Sequence, residues 1–256
     1  MSARLRGLLA VLLLCLPGLA AAAAPAATVI LLTGRGTATA TDGSIRALAK
    51  GDAVYSGEVI ASGASSYLDL KFSDGAFFLL RPNSRFEISG YLDNTGGAPA
   101  APPAPPVSAA AQNPPPLTPA PAATSSGSHA FFRLLKGGFR TISGLIGKIN
   151  HEEYQVATPV ATIGIRGTDY LAVICDESCA TDPVLAEVLP PGVSALGGLV
   201  TTVYAHSIVV NTPKGSFVLE VGQYLLTLPD GTSLLLPQEP HFLHVDPIPN
   251  PANCAA

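Results

Sequence analysis

Short runs in which apolar and polar residues alternate recur along most of the chain. Positions 68, 70 and 72 of the run Tyr67–Phe72 are leucine or phenylalanine, and tyrosine, aspartate and lysine lie between them. An alternation with a period of two places one set of side chains on each face of a β-strand. Similar runs predict strands at Val54–Ile60, Ala76–Arg81, Arg85–Ser89, Phe132–Leu135, Phe139–Ile142, Thr168–Ile174, Val200–Ala205, Ile208–Asn211, Ser216–Val221 and Tyr224–Leu228.

Asp-Gly dipeptides separate several of these runs, at Asp42-Gly43, Asp74-Gly75 and Asp230-Gly231, and Pro82-Asn83 marks a further turn. Aspartate and glycine tolerate the positive φ angles of a two-residue type I′ turn, so each Asp-Gly pair predicts a hairpin. The spacing of short strands and turns predicts an all-β fold. We expect rolled or stacked antiparallel hairpins, arranged as a β-sandwich or a β-solenoid-like stack.

A weak internal repeat is consistent with stacking. Val156–Pro159 and Val210–Pro213 both end a β-run with Thr-Pro, and Lys50–Asp52 and Val221–Gln223 both introduce a strand. Two imperfect copies indicate a repeated hairpin unit without establishing one.

The composition changes at residues 94–128, which hold ten prolines and no charged residue. Such a stretch cannot bury a core and favours polyproline II conformations, which predicts a disordered or semi-rigid insertion. The alternative is a ligand for a proline-recognising groove, because Pro102–Pro105 fits the P-x-x-P pattern. The predicted organisation is one β-domain in two parts, 28–93 and 129–236, with a proline-rich tail at 237–256.

The first residues have the features of a secretory signal. Arg4 and Arg6 precede the apolar run Leu8–Leu16, and small alanines at 20–24 follow, so we expect a signal peptide at 1–23. The apolar run is shorter than the ~20 residues that span a bilayer. A lipoprotein signal is the alternative, but the leucine before Cys15 is not the small residue that a lipobox requires. The expected location is periplasmic or secreted, with no transmembrane anchor in the mature chain.

The expected compartment determines which role is assigned to the cysteines. Cys175 and Cys179 lie close together after a predicted strand, and an oxidising compartment favours a disulfide between them. A zinc site is the alternative, but it requires two further ligands that the neighbouring sequence does not offer. Cys254 in the tail is left over, either as a free thiol or as an intermolecular link.

Composition and charge narrow the class of partner. The chain is 48% hydrophobic and 12% charged, which is typical of a globular protein. Removing Arg4 and Arg6 with the signal leaves 12 basic against 18 acidic residues, a formal charge of −6. Nucleic-acid binding requires a basic footprint, so no nucleic-acid partner is expected.

The segment Thr162–Thr168 invites comparison with a phosphate-binding loop. It lacks the glycine–lysine spacing and the strand-to-helix context that direct backbone amides at phosphate. Gly164 and Gly167 are expected to permit tight strand packing or a bulge. Arg166 is expected to pair with a nearby carboxylate such as Asp169, or to cap backbone carbonyls.

No other constellation predicts chemistry. His241, His244 and Asp246 have a spacing that can chelate a metal, but the prolines around them leave no regular element to fix the ligands. No serine lies in a G-x-S-x-G motif, and no carboxylate pair suggests an acid–base couple. The sequence therefore predicts no enzyme, no cofactor and no metal site.

Phe72–Ile88 and Tyr154–Tyr170 together resemble the FecR domain, the periplasmic module of iron-dicitrate-type signalling regulators. Gly51-Asp52, Lys136–Arg140 and the strand before Gly222-Gln223 extend the resemblance over most of the mature chain. It implies a periplasmic all-β module described as a rolled sheet or β-solenoid-like stack. The residues taken as its structural motif are Asp74, Gly75, Pro159, Gly164, Arg166, Gly167 and Thr168.

The chain departs from the signalling members of that family. Those members add a cytoplasmic helix bundle and one transmembrane helix, through which a receptor signal reaches a sigma factor. This chain has a cleavable signal and neither element, so direct anti-sigma activity is not expected.

Two functions follow as hypotheses. The first is a non-catalytic FecR-like module that binds or senses an envelope protein, a glycan or another ligand. The alternative is a structural or cell-surface interaction protein in which the Pro/Ala-rich insertion is a spacer and Cys254 forms cross-links. Residue patterns leave the partner and the oligomeric state open.

Overall fold

The computed structural model describes residues 24–95 and 127–243, which form two nine-stranded sheets. The predicted signal peptide, nearly all of the predicted insertion, and Cys254 lie outside these residues. Across sheet 1, the strands run in the order β18 (Ser233–Leu236), β17 (Tyr224–Thr227), β14 (Leu199–Ala205), β13 (Asp169–Ile174), β10 (Gly138–Ile142), β7 (Phe77–Leu80), β6 (Leu68–Phe72), β1 (Ala27–Leu32) and β4 (Ala53–Val54).

Sheet 2 also has nine strands. Its order is β16 (Gly215–Glu220), β15 (Ser207–Thr212), β12 (Thr162–Ile165), β11 (Tyr154–Ala157), β9 (His129–Lys136), β8 (Arg85–Leu92), β5 (Val59–Ser62), β2 (Gly36–Thr39) and β3 (Ile45–Leu48).

The chain passes repeatedly from one sheet to the other, usually after a hairpin. Nearly all neighbouring strands are antiparallel, and β9 with β11 is a parallel pair. The two sheets pack against each other over a shared apolar core and do not close into a barrel. This arrangement confirms the predicted all-β fold of stacked hairpins.

The internal repeat recurs in the hydrogen bonds. Asp52 accepts the backbone N–H of Ala49 at 2.8 Å, and Gln223 accepts that of Glu220 at the same distance. Thr158 and Thr212, which precede the two repeated prolines, each accept a backbone N–H two residues further on within a hairpin turn. The repeated sequence therefore corresponds to turns that are held by the same side-chain to backbone hydrogen bonds.

One predicted strand is wrong. Val54–Ile60 is not a single strand, because β4 ends at Val54 and β5 begins at Val59. Gly57 between them has a φ of +89°, and the Tyr55 N–H donates to the Glu58 carboxylate at 2.9 Å. This turn moves the chain from sheet 1 to sheet 2.

The Asp-Gly dipeptides form hairpins, but not the predicted type I′ turns. Type I′ requires positive φ at both central residues, whereas φ is positive only at Gly43, Gly75 and Gly231. The loops have three residues, as shown by the bond from Phe72 N–H to the Ala76 carbonyl at 2.8 Å. In each loop the aspartate Oδ1 accepts the N–H two residues on, from Ser44, Ala76 and Thr232.

Helices are short and join the strands. No helix among the described residues has the length and apolar character that a membrane crossing requires. The elements are α1 (Leu145–Ile149), α2 (Glu177–Ala180), α3 (Pro183–Val188) and 3₁₀ turns at His151–Glu153 and His241–Leu243.

Aromatic rings fill the centre of the core between the sheets. Phe132 of β9 lies within 5.3 Å, centroid to centroid, of the rings of Phe72, Phe78 and Phe86. These side chains are at most 2% exposed. Edge-to-face and tilted pairs of this kind add to the free energy gained by burying the rings.

A second apolar cluster covers part of the outer face of sheet 1. Leu171 and Val173 of β13 pack there against α2, α3 and the segment that ends at Leu243. The predicted disulfide between Cys175 and Cys179 is confirmed, with a Cα–Cα distance of 5.1 Å. Both cysteines are buried in this cluster.

The predicted insertion leaves sheet 2 and returns to it at one place. β8 and β9 are antiparallel neighbours, with Leu92 opposite His129. Asn94 N–H donates to Ser128 Oγ at 2.9 Å just beyond them. The strands directly before and after residues 96–126 are therefore neighbours in the same sheet.

Replacing residues 96–126 with a short Gly/Ser loop should leave the protein folded. The pairing of β8 with β9 holds the two ends together, and closure entropy changes by only ~1 kcal/mol over this range of loop lengths. Urea unfolding followed by circular dichroism measures the effect. An insoluble variant, or a loss of several kcal/mol, would contradict it.

Candidate functional site

Asp74 joins three elements at one end of the core. Its Oδ1 accepts the Tyr91 hydroxyl at 3.1 Å, and its Oδ2 accepts the Ile146 N–H at 3.2 Å. The Asp74 carbonyl also accepts the Leu145 N–H at 2.9 Å, so the β6–β7 hairpin fixes the start of α1. Burial raises the pKa of Asp74 above its usual value, and the N–H and hydroxyl donors oppose that rise.

Thr168 forms a second junction, where the chain passes from sheet 2 to sheet 1. Its N–H donates to Ser143 Oγ and its hydroxyl to the Ser207 carbonyl, both at 2.8 Å. The same hydroxyl accepts the Arg166 N–H at 3.2 Å. Thr168 is buried, and without its hydroxyl the Arg166 N–H and the Ser207 carbonyl would keep only their mutual bond of 3.2 Å.

The other motif residues lie in turns and in one strand. Pro159 occupies the β11–β12 turn, and Gly75 and Gly167 have positive φ angles of 87° and 67°. At Gly164 no atom of the described chain lies within 4 Å of where a Cβ would be. The expectation of tight packing at Gly164 is therefore wrong, and at Gly167 the backbone angle is what requires glycine.

The expected pairing of Arg166 with Asp169 is also wrong. Arg166 is exposed, whereas Asp169 is bound by Arg140 through two bonds of 3.0 and 2.9 Å. Arg140 lies on the neighbouring strand of sheet 1, and its guanidinium stacks 3.9 Å from the Tyr204 ring. The sequence did not indicate this pair, because antiparallel pairing of β10 with β13 brings the two residues together across 29 positions.

Asp69 is an unusual acidic group on the outer face of sheet 1. It is 2% exposed, and its Oδ1 has no hydrogen-bond partner within the described chain. Its direct neighbours across the sheet are Leu31 and Leu79. Burial raises the pKa of this carboxyl from 3.8 to about 7, and a backbone hydrogen bond opposes the rise.

A pocket of about 230 Å³ opens between sheet 1 and the disulfide segment. Gly138 lines it, and Arg81 directly follows the neighbouring strand β7. The Arg81 guanidinium donates to the Phe242 carbonyl at 2.9 Å and lies 5.8 Å from the Phe242 ring centroid. Other lining residues are Tyr67, Pro82, Asn83, Gly137, Val173, Ile174, Asp176 and Ser178.

The walls of this pocket are held rigidly. Ser84 Oγ donates to the Gly138 carbonyl at 2.8 Å and accepts the Gly138 N–H at 2.9 Å. A Cβ at Gly137 would lie 2.6 Å from the Ser84 Cα, so this close approach requires glycine. Asp176 caps α2 by accepting the Ser178 and Cys179 N–H groups, which orders the opposite wall.

The pocket does not contain a catalytic arrangement. Ser178 Oγ donates to Asp176 Oδ1 at 2.7 Å, but among the described residues no histidine or lysine lines the pocket to activate that hydroxyl. No three His, Cys, Asp or Glu side chains of residues 24–95 and 127–243 form a group that could hold a metal ion. Of the three residues whose spacing could chelate a metal, His241 lies 3.9 Å from Asp182, and His244 and Asp246 lie outside those ranges.

Two signals for this site were present in the sequence. The glycines of the Lys-Gly-Gly-Phe-Arg run at Lys136–Arg140 line the pocket. The continuous apolar run Leu171–Ile174 is typical of a strand covered on both faces, as β13 is. Arg81 and Phe242 are 161 positions apart, and no local pattern could have joined them.

No protein-family model and no curated protein matches the chain. Two crystal structures of one protein from Parabacteroides distasonis, named as a candidate anti-sigma factor, are similar at a TM-score of 0.43 and 9% identity. The match covers 71% of this chain and 60% of the length of that protein.

A cell surface anchoring domain matches at a TM-score of 0.24 and 26% identity, over 24% of this chain and 82% of that domain. At TM-scores below 0.5, none of these similarities identifies a fold or a function.

Gly144→Ala should destabilise the protein by roughly 1–3 kcal/mol, as overpacking of a dense core does. An alanine Cβ would lie 2.3 Å from Asp74 Oδ2 and 2.6 Å from the Ala76 backbone nitrogen. Gly164→Ala is the control, because its Cβ enters open space, and it should change stability by less than ~0.5 kcal/mol. Equal losses in urea unfolding would disprove the role assigned to the Asp74 junction.

Arg140→Ala should lower the free energy of unfolding by about 3 kcal/mol, because Asp169 would be left partly buried without its partner. The side chains of this pair are only 10% and 18% exposed. Arg140→Lys should recover little of the loss, because lysine cannot form the two-bond contact or stack on Tyr204. The exposed Arg166→Ala is the control, and a greater loss there than at Arg140 would reverse the assignment.

Stability should fall as the pH rises from about 4 to 7, in part because of Asp69. In that window the folded carboxyl keeps a proton that the unfolded chain has lost, since its folded pKa is the higher of the two. Asp69→Asn removes this contribution, so its stability relative to the native chain should rise with pH, by up to ~4 kcal/mol. Parallel pH profiles for the two proteins would show that Asp69 ionises normally.

Proposed function

We propose that this protein is a non-catalytic binding module of the cell envelope, which recognises an envelope protein or glycan at the outer face of sheet 1. The observation that supports the proposal is the pocket between sheet 1 and the Cys175–Cys179 segment. Preformed concave sites with a few fixed polar groups are the usual form of a ligand site.

The pocket offers groups suited to a polar, uncharged or weakly anionic ligand. The Arg81 guanidinium supplies donors, the Asp176 carboxylate accepts, and Asn83 does both. Tyr67 and Phe242 add aromatic surface to the lining. This mixture fits a sugar ring or a short peptide segment.

Rigidity is the second property that favours binding. The disulfide, the capped α2 and the bonds between Ser84 and Gly138 fix the walls before a ligand arrives. A preformed site avoids the entropy cost of ordering loops on binding. Export through a signal peptide and a periplasmic or secreted location belong to the same proposal, and the disulfide is compatible with them.

A structural role is the second candidate, and one observation favours it. Asn94 and Ser128 are hydrogen-bonded at 2.9 Å, so the chain between them starts and ends at one point of the sheet. A Pro/Ala-rich segment attached in this way suits a spacer that projects from the domain.

The experiment uses Ser178→Trp to fill the pocket and Ser44→Trp as a matched control in the exposed β2–β3 turn. The native chain and both variants, purified from residue 24 onward, are immobilised and exposed to extract from their own cell envelope. The binding proposal predicts that a component held by the native chain and Ser44→Trp is lost with Ser178→Trp. Retention of the same component by all three would exclude the pocket as the binding site.

A further inference from the structure

The outer face of sheet 1 is buried at β6 and β7, away from the apolar cluster that covers its other half. Leu79 and Asp69 lie opposite each other and point to this face, because the residues on either side of each belong to the core between the sheets. Both are only 2% exposed. The outer cluster contains no residue of β6 or β7, and Leu79 belongs to neither apolar cluster. The burial of this pair therefore calls for a further segment over the two strands.

The described part of the chain ends beside this surface. Arg81 follows β7 and lies ~7 Å along the strand direction from Leu79, two residues earlier, on the same face. Its guanidinium donates at 2.9 Å to the carbonyl of Phe242, which packs against the outer cluster. Leu243 is the next residue and the last that the structure describes. The chain that follows therefore starts within a few residues' reach of Leu79.

We propose that residues 244–251 cross the outer face of β7 and β6 and cover Leu79 and Asp69. Eight extended residues span up to ~26 Å, whereas the width of β7, β6 and β1 together is only ~10 Å. Leu31 of β1 lies on the far side of Asp69 and is 38% exposed, so the cover ends there.

The composition of this segment suits a cover that lies on a sheet without pairing to it. Val245, Ile248 and Pro251 recur at intervals of three, which places them on one side of a polyproline II helix. That side provides an apolar stripe for Leu79. The prolines at 247, 249 and 251 have no N–H, so fewer backbone donors need a partner on the sheet face.

Charge and connectivity favour the same occupant. Asp246 is the one acidic residue of positions 244–256, and it follows Leu243 by three positions, within reach of the Arg81 guanidinium. A charge-assisted hydrogen bond between them would hold the start of the segment on the sheet. A segment of the same chain also has a much higher effective concentration at this surface than any separate partner, at ~mM for a short connection.

The test measures how fast a thiol reacts at Leu79→Cys. The protein is the chain from residue 24 onward, with Cys254→Ser and with the Cys175–Cys179 disulfide intact. Ending this chain after Leu243 should accelerate the reaction at least ~10-fold, because the cover is removed. Val210→Cys is the control, since position 210 is fully buried between the sheets, and its rate should change by less than ~2-fold.

Substitutions in the intact tail separate loss of the cover from loss of the fold. Val245→Ser with Ile248→Ser should accelerate the reaction of Leu79→Cys at least ~3-fold, whereas Ala252→Ser with Ala255→Ser, beyond the covering segment, should leave it unchanged. A fast reaction with the native tail, equal rates with and without the tail, or equal acceleration at Val210→Cys would overturn the proposal. No ligand enters this measurement, so its failure is distinguishable from failure of the proposed binding function.

Discussion

The packing of aromatic rings around Phe132 is the interaction on which the rest of this structure depends. Phe72, Phe78 and Phe86 come from the chain before residue 96, and Phe132 comes from the chain after residue 126. Phe139 continues the cluster to Tyr170 of β13. Burying one such ring stabilises a protein by ~2–3 kcal/mol, so the cluster joins the two segments into one core.

The junctions and the pocket follow from that core. Because the rings hold sheets 1 and 2 face to face, the chain must pass between the sheets at fixed points, and Asp74 and Thr168 bond the backbone at two of them. The outer face of sheet 1 is then a firm surface on which the disulfide segment packs. The binding that we propose would use the pocket between this face and the disulfide segment.

Alternation of apolar and polar residues predicted most of the strands, because most of them have one buried and one more polar face. It did not predict β1, β2, β3 and β18. It failed at Val54–Ile60, where Ser56, Gly57 and Glu58 form a turn between two strands. The disulfide was predictable from spacing and compartment, whereas the Arg140–Asp169 pair was not, since strand order is a property of the whole sheet. Asp69 looked like an ordinary solvent-facing residue of an alternating strand until the outer face proved to be covered.

The central claim is that the chain on the two sides of residues 96–126 forms one cooperative unit through the aromatic core. Native-state hydrogen exchange of Phe132→Leu tests it most directly, with the slowest amides of β6–β7 and of β13–β14 as reporters. The account predicts that both sets lose the same free energy of opening, about 1–3 kcal/mol. A loss confined to one set, with the other unchanged, would show two independently stable units and contradict the account.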